Sequence, residues 1–156
     1  MKSIISINKF FLIVAILFFT ACGSDSDDPI TVTPPVSTTL AGDYSGTWDS
    51  TTPTASFFGV DVSARLTSNA QETRLSGPFF ISPNLEPCCG ATNDGRIVIE
   101  LDGNTITSFT YTDAIPGCTG NFSGTGEIIS TGALVIDFTG TDCDGEHTGE
   151  LVLTKK

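Results

Sequence analysis

The stretch FGVDVSARL, residues 58–66, alternates apolar with polar or small side chains over its whole length. The apolar members occupy every second position: Phe58, Val60, Val62, Ala64 and Leu66. Because successive side chains of a β-strand point to opposite faces, this period of two predicts a strand with one buried face and one exposed face. The residues predicted to face solvent are Gly59, Asp61, Ser63 and Arg65.

The same period of two recurs along the rest of the chain, where the helical period is almost absent. Eight strands are predicted, at 43–49, 57–67, 72–82, 95–102, 104–112, 120–130, 132–140 and 146–154. Turn sequences separate several of them: Asn93-Asp94-Gly95, Asp102-Gly103 and Ser130-Thr131-Gly132. Short connections imply antiparallel neighbours, and closing such a sheet removes its exposed edges. We therefore expect an all-β domain, an antiparallel eight-stranded up-and-down β-barrel.

The first predicted strand carries the sequence GDYSGTW, residues 42–48. It resembles the Gly-x-Trp opening of lipocalins and related calycin barrels, with Gly46 and Trp48 at the matching positions. The resemblance implies that Trp48 closes one end of a lipocalin-like barrel and that the first strand pairs with the last. The alternative is a buried tryptophan in some other antiparallel barrel or sandwich.

The N-terminal segment has the order of a secretory signal peptide. Lys2 and Lys9 are followed by an uncharged run, Phe10–Phe19, and by the small residues Thr20 and Ala21. The apolar run is too short to span a bilayer comfortably, since a spanning helix needs about 20 residues. We expect this leader, residues 1–21, to be cleaved from the chain.

The sequence FTAC, residues 19–22, resembles the lipoprotein box of bacterial lipoproteins. The resemblance implies cleavage before Cys22 and attachment of lipid to that cysteine. The following GSDSDDP resembles the acidic export tags of Bacteroidetes-type surface lipoproteins, although a solvated tether explains it as well. Gly23 directly after Cys22 favours the outer membrane, on its periplasmic face or at the cell surface. An ordinary cleaved signal peptide is the alternative.

Three parts follow: the signal peptide 1–21, the lipidated cysteine with a flexible acidic and Pro/Thr-rich linker 22–39, and the β-barrel domain 40–156. The linker is too poor in large apolar side chains to order itself. The chain carries a formal charge of −11. A surface of that sign repels phosphate backbones, which excludes nucleic acid as a natural partner. We expect a monomer that meets the membrane through its lipid.

Four cysteines remain besides Cys22: Cys88, Cys89, Cys118 and Cys143. An even number in an exported domain indicates disulfides. Adjacent cysteines join each other only with strain, so we expect one of Cys88 and Cys89 to pair with Cys118 and the other with Cys143. Their spacing matches no zinc pattern, and a thiolate metal site is the weaker alternative.

The densest polar cluster is TDCDGEH, residues 141–147. Its acids Asp142, Asp144 and Glu146 alternate like calcium ligands, but the twelve-residue loop of an EF-hand is missing. A hairpin turn at Asp144-Gly145 is the simpler interpretation, so we predict no metal and no cofactor. His147, the single histidine, is predicted to be an exposed residue at a strand start.

No nucleophile elbow, phosphate loop or dinucleotide fingerprint occurs in the sequence, and we expect no enzymatic activity. An eight-stranded barrel can be filled by side chains or can hold one small ligand. The first hypothesis is therefore a lipocalin-like binder of a small apolar ligand. The predicted pocket lining is Phe58, Val60, Phe79, Ile99, Phe109, Tyr111, Phe122 and Phe138. The alternative is a structural or interaction lipoprotein with a solid core and no small-molecule pocket.

Overall fold

The structure is a computed structural model that describes residues 39–87, 95–113 and 115–156. These residues form eight strands: β1 (Gly42–Thr51), β2 (Ser56–Ser68), β3 (Arg74–Phe80), β4 (Gly95–Asp102), β5 (Thr105–Thr112), β6 (Asn121–Ile128), β7 (Leu134–Asp142) and β8 (Gly145–Lys155). Each strand pairs antiparallel with the next, and β8 pairs with β1. The domain is thus a closed, up-and-down, eight-stranded barrel, which confirms the predicted fold class.

The leader, Cys22, the linker up to residue 38, Cys88, Cys89 and Asn93-Asp94 lie outside the described residues. Within the described ranges, no helix is long and apolar enough to cross a membrane.

The interior of the barrel is filled by the alternate, inward-facing side chains of every strand. Trp48 lies among four aromatic rings, and its centroid is 3.9 Å from that of Phe138 and 5.0 Å from that of Phe122. The other buried core residues include Tyr44, Val62, Ala64, Leu66, Leu75, Phe79, Ile97, Ile99, Leu101, Ile106, Phe109, Tyr111, Leu134, Ile136, Leu151 and Leu153. The period of two therefore identified most of this core correctly.

The seam between β1 and β8 closes the barrel. Gly46 is paired with Leu153, and Trp48 with Leu151. A Cβ atom added at Gly46 would lie 1.7 Å from the carbonyl oxygen of Val152, so only glycine allows the two backbones to approach this closely. The pairing of the first strand with the last, which the calycin resemblance implied, is confirmed.

A β-bulge interrupts the alternation at the start of β2. The β1–β2 register shifts between Trp48 and Ser50, and Gly59 takes a φ of +62° opposite this shift. Because β2 has one extra residue here, the side chains that precede the bulge face the opposite side of the sheet from the one that the alternation predicts. The prediction that Phe58 faces the interior is therefore wrong, because its side chain is 71% exposed.

Ser63 is a second departure from the alternation in β2, because this outward position is fully buried. Its hydroxyl donates to the carbonyl oxygen of Ser82 at 2.5 Å and accepts the N–H of Leu85 at 2.9 Å. The segment after β3 is thereby fastened to the outer face of β2.

The tight turns lie at the glycine-containing turn sequences that the sequence pattern predicts. Asp102-Gly103 lies at the β4–β5 hairpin, with Gly103 at a φ of +59°. Ser130-Thr131-Gly132 joins β6 to β7, and Asp144-Gly145 lies where β7 returns as β8. The hairpin interpretation of the last two strands is confirmed.

Candidate functional site

A half-open cavity of about 160 Å³ lies at the end of the barrel that carries the β7–β8 turn. We call it the mouth cavity. Its lining is Trp48, Ser50, Phe57, Val60, Ile81, Tyr111, Asp113, Ile115, Phe122, Asp142, Asp144 and His147. Six strands contribute to this lining, together with the loops that follow β3, β5 and β7. The cavity thus combines an apolar base with a polar rim.

Aromatic rings make up most of the apolar part. The Trp48 ring meets Phe122 edge to face at a centroid distance of 5.0 Å and Tyr111 at 5.8 Å. Tyr111 in turn stacks on Phe122 at 5.4 Å. Rings that brace one another in this way hold fixed orientations, so the cavity presents preformed aromatic surfaces.

A buried chain of hydrogen bonds runs along one wall of the cavity. The indole Nε1 of Trp48 donates to Ser50 Oγ at 2.9 Å. Ser50 Oγ lies 3.1 Å from Nδ1 of His147, and Nε2 of His147 lies 3.0 Å from Oδ1 of Asp142. Four side chains from β1, β7 and β8 are therefore joined across the seam of the barrel.

The donor and acceptor inventory fixes the direction of this chain. An indole N–H can only donate, and an ionised carboxylate can only accept. In the neutral imidazole, Nε2 therefore carries the proton and donates to Asp142, while Nδ1 accepts the hydroxyl proton of Ser50. Every member is satisfied, so the network locks the rings of Trp48 and His147 in place.

The prediction that His147 is exposed is wrong, because its side chain is only 5% accessible. Phe57 stacks on the imidazole at a centroid distance of 5.5 Å, and Phe122 meets it edge to face at 5.6 Å. The bulge explains this burial, since it turns Phe57 inward over His147 where the alternation had placed Phe58. His147 is therefore part of the cavity wall.

Three carboxylates reach the cavity: Asp113, Asp142 and Asp144. Asp113 is 8% exposed, and its Oδ1 accepts the N–H of Ile115 at 3.0 Å. Oδ1 of Asp142 accepts the N–H of Asp144 at 2.7 Å in addition to the proton from His147. The side chains of Lys and Arg are absent from the lining that the structure describes.

The acids that alternate like calcium ligands are not gathered around one point. Asp142 and Asp144 line the mouth cavity, whereas Glu146 lines a separate depression of about 270 Å³ on the outer wall. Among the described side chains, Cys118, Asp142 and Cys143 are close enough to share an ion. The two sulfurs of that group are joined to each other, which removes them as thiolate ligands.

A disulfide joins Cys118 in the β5–β6 loop to Cys143 in the β7–β8 turn, with a Cα–Cα distance of 4.8 Å. The predicted pairing of these two cysteines with Cys88 and Cys89 is therefore wrong. Both loops leave the same end of the barrel, where β6 and β7 are neighbours, so the two cysteines are already close. The bridge fixes the loop next to Asp113 against the turn that carries Asp144.

The predicted pocket residues separate into three groups. Val60, Tyr111 and Phe122 line the mouth cavity. Phe79, Ile99, Phe109 and Phe138 are packed in the core below it. Phe58 lies outside the barrel, where it lines a shallow groove of about 780 Å³ that crosses the outer wall from β5 to β1.

Gly46 and Trp48, the two residues of the Gly-x-Trp motif, lie in different surroundings. Gly46 lies at the seam, and Trp48 lies deeper along β1, at the base of the mouth cavity. At the opposite end, the hydroxyl of Tyr44 donates to the carbonyl oxygen of Leu40 at 2.5 Å.

Sequence reasoning missed Ser50, Phe57, Ile81, Asp113 and Ile115, all of which line the cavity. Ser50 and His147 are 97 positions apart, and only the β1–β8 register brings them together. The glycine at position 59 was the one local signal of a bulge, and hence of an inward Phe57.

No protein-family model matches this chain, and no curated protein is significantly similar to it. The functional argument therefore depends on the geometry of the mouth cavity.

Proposed function

We propose that this chain is a lipid-anchored, non-enzymatic binding protein whose calycin-like barrel takes one small ligand in the mouth cavity. The observation that carries the proposal is the half-open cavity of about 160 Å³ with its aromatic base. A cavity of roughly 150 Å³ lined by apolar side chains is large enough to hold benzene. Rings that are already in position lower the ordering cost of binding.

The size of the cavity restricts the ligand. Pockets for drug-sized molecules occupy roughly 300–1,000 Å³. The interior below Trp48 is filled by Phe79, Phe109 and Phe138, so a long acyl chain or a pigment has no room along the barrel axis. The ligand we propose is a compact molecule about the size of benzene, seated at the mouth.

The non-enzymatic part of the proposal is supported by the state of Ser50. The order serine, histidine, aspartate is that of a hydrolase triad, in which the serine oxygen must reach the substrate. Here the Ser50 oxygen accepts the indole N–H of Trp48, and the residue is 2% exposed. An oxygen that is shielded and already bonded is suited to fixing a wall, and poorly suited to attacking a carbonyl.

The anchoring part rests on the sequence around Cys22 and on the spacer that follows it. We propose that lipid on this cysteine holds the barrel at the outer membrane. Metabolic labelling with an alkyne-bearing fatty acid tests the assignment. The native chain should take up the label and fractionate with membranes, and the Cys22→Ser variant should do neither. Equal labelling of the two would rule out Cys22 as the anchor.

Ligand binding can be followed through Trp48, which is the single tryptophan of the chain and lies in the cavity wall. The purified full chain is titrated with benzene, choline and dimethylbutanol, the uncharged carbon isostere of choline. At least one of these compact probes should change the Trp48 emission in a saturable manner. Absence of a saturable response to all three contradicts the proposed function.

A cavity-filling variant supplies the control for this titration. Val60 lines the cavity, so Val60→Phe should occupy the space and abolish the response. Val135→Phe makes the same change at a partly exposed position of β7 outside the lining and should leave the response intact. Equal loss in both variants would point to general damage to the fold.

A solid-core interaction protein is the second candidate function, and two observations favour it. The barrel interior is filled by side chains, and Phe58 is exposed in the groove on the outer wall. This candidate predicts no saturable probe binding at Trp48, so the same titration separates the two functions.

A further inference from the structure

We infer that the mouth cavity selects a small organic cation, such as a quaternary or protonated amine, over a neutral molecule of the same shape. This inference rests on the proposed function and names its ligand class. It follows from two kinds of side chain that the fold brings to one cavity: electron-rich ring surfaces and buried or rim carboxylates.

The rings supply the first half of the argument. Trp48, Phe57, Tyr111 and Phe122 all line a space of about 160 Å³. A cation in a space of that size necessarily lies close to several rings. Positive charge is attracted to the face of an aromatic ring within about 6 Å, most strongly for tryptophan, and more strongly when water is excluded. The same rings attract a neutral ligand only through apolar contact.

Asp113 supplies the second half. It follows β5, lies nine-tenths buried and lines the cavity, where Ile115 donates to one of its oxygens. Its carboxylate puts negative charge at the cavity wall, and opposite charges attract more strongly where water is excluded. A cationic ligand in the cavity places positive charge beside it, and a neutral ligand does not.

The other polar residues of the cavity wall do not cancel the negative charge of Asp113. Asp142 is held by the N–H of Asp144 and by His147, whose Nδ1 is occupied by Ser50. The described lining holds three aspartates and no Lys or Arg, in a chain of formal charge −11. A cleft lined by one sign of charge concentrates counter-ions of the opposite sign. Anionic ligands are correspondingly disfavoured.

An organic cation suits this lining better than a metal ion does. Calcium takes six to eight oxygen ligands and magnesium needs near-octahedral geometry. Much of the described lining is aromatic or aliphatic and offers no oxygen to a metal. An alkylated ammonium group instead needs an apolar contact surface with negative charge nearby, which is what the cavity offers.

The matched probes choline and dimethylbutanol test the inference, because they differ in charge but hardly in shape. In titrations of the full chain followed by Trp48 emission, choline should bind at least tenfold more tightly than dimethylbutanol. Raising the salt concentration should weaken choline binding and leave dimethylbutanol unaffected. Equal affinities, or tighter binding of dimethylbutanol, would overturn the inference while leaving the proposed function intact. Failure of all probes would overturn both.

The Asp113→Asn variant removes one negative charge and keeps an oxygen that can accept the Ile115 N–H. It should lower the choline affinity at least fivefold and leave the dimethylbutanol affinity unchanged. Asp102→Asn removes the same charge at the β4–β5 turn, outside the lining, and should change neither affinity. If Asp113→Asn weakens both probes equally, or neither, the inference is wrong. The comparison of the two probes on the native chain decides the matter even if this variant does not fold.

Discussion

At the scale of single residues, the chain Trp48–Ser50–His147–Asp142 determines the shape of the mouth cavity. It could not be predicted from the sequence, because its two local pairs are joined only through Ser50 and His147, which are 97 positions apart. His147 was predicted to be exposed, since a histidine at the start of a polar strand has no visible partner. Its partners exist only once β1 is paired with β8 in the observed register.

The buried serine gives the first prediction. Ser50→Ala leaves the Trp48 indole N–H and His147 Nδ1 without their shared partner. Because both groups are buried, the free energy of unfolding should fall by about 1–3 kcal/mol. Chemical denaturation followed by Trp48 fluorescence measures the loss. Ser123→Ala, at an exposed position of β6, is the matched control and should stay within about 0.5 kcal/mol of the native chain. Equal losses in both would exclude the network as the cause.

Tyr44 gives a prediction about pH. Burial raises the pKa of the Tyr44 phenol above its ordinary value. A group with a raised pKa in the folded state contributes its stability fully below the pKa of the unfolded chain, about 10, and loses it as the pH rises through the folded value. The free energy of unfolding should therefore fall as the solution becomes alkaline, and Tyr44→Phe should flatten that fall. An unchanged alkaline slope in the variant would contradict the assignment.

At the scale of elements, the β1–β8 seam and the bulge in β2 determine what the barrel presents at its mouth. The alternation predicted strands and most of their inward faces, because burial acts on every second residue. The alternation predicted the wrong face for Phe58, because the bulge at Gly59, a glycine in the left-handed region, shifts the register by one residue. The pattern alone cannot show a bulge until the partner strand is known.

Two glycine substitutions separate the contribution of the β1–β8 seam from that of the bulge in β2. At Gly46 a Cβ atom would meet the Val152 carbonyl oxygen at 1.7 Å, so Gly46→Ala must force the seam apart. We expect a loss of about 3 kcal/mol or more in the free energy of unfolding. At Gly59 nothing lies within 4 Å of an added Cβ, and only the positive φ is strained. Gly59→Ala should therefore cost about 1–2 kcal/mol. The reverse order in thermal or chemical denaturation would contradict the seam geometry.

The disulfide also acts at the scale of elements, because it joins the β5–β6 loop to the β7–β8 turn. Cys118 and Cys143 enclose a loop with a sequence separation of 25. Replacing both by serine should lower the free energy of unfolding by about 3 kcal/mol, chiefly because the unfolded chain regains freedom. Peptide mapping of the native protein without reduction should recover the Cys118–Cys143 pair. Recovery of either cysteine joined to Cys88 or Cys89 would contradict the structure.

At the scale of the whole molecule, the fold was predictable because eight alternating segments with short turns have few other ways to hide their edges. The candidate site could not be predicted, because it depends on the register between the first and last strands and on the loops that surround the mouth. Of the eight predicted pocket residues, only Val60, Tyr111 and Phe122 face the cavity, since the core absorbs most of the others.

The central claim is that a small ligand sits at the mouth of the barrel, against Trp48. Nuclear magnetic resonance of the 15N-labelled full chain tests it directly, since the chain has one tryptophan and hence one indole N–H signal. Choline or benzene should shift the Trp48 indole signal and the amide signals of Val60, Tyr111 and Phe122. The amide signals of Leu75 and Leu134, which lie in the core outside the cavity lining, should not move. If neither probe moves the indole signal, or if the shifts gather around Leu75 and Leu134 instead, the account is wrong.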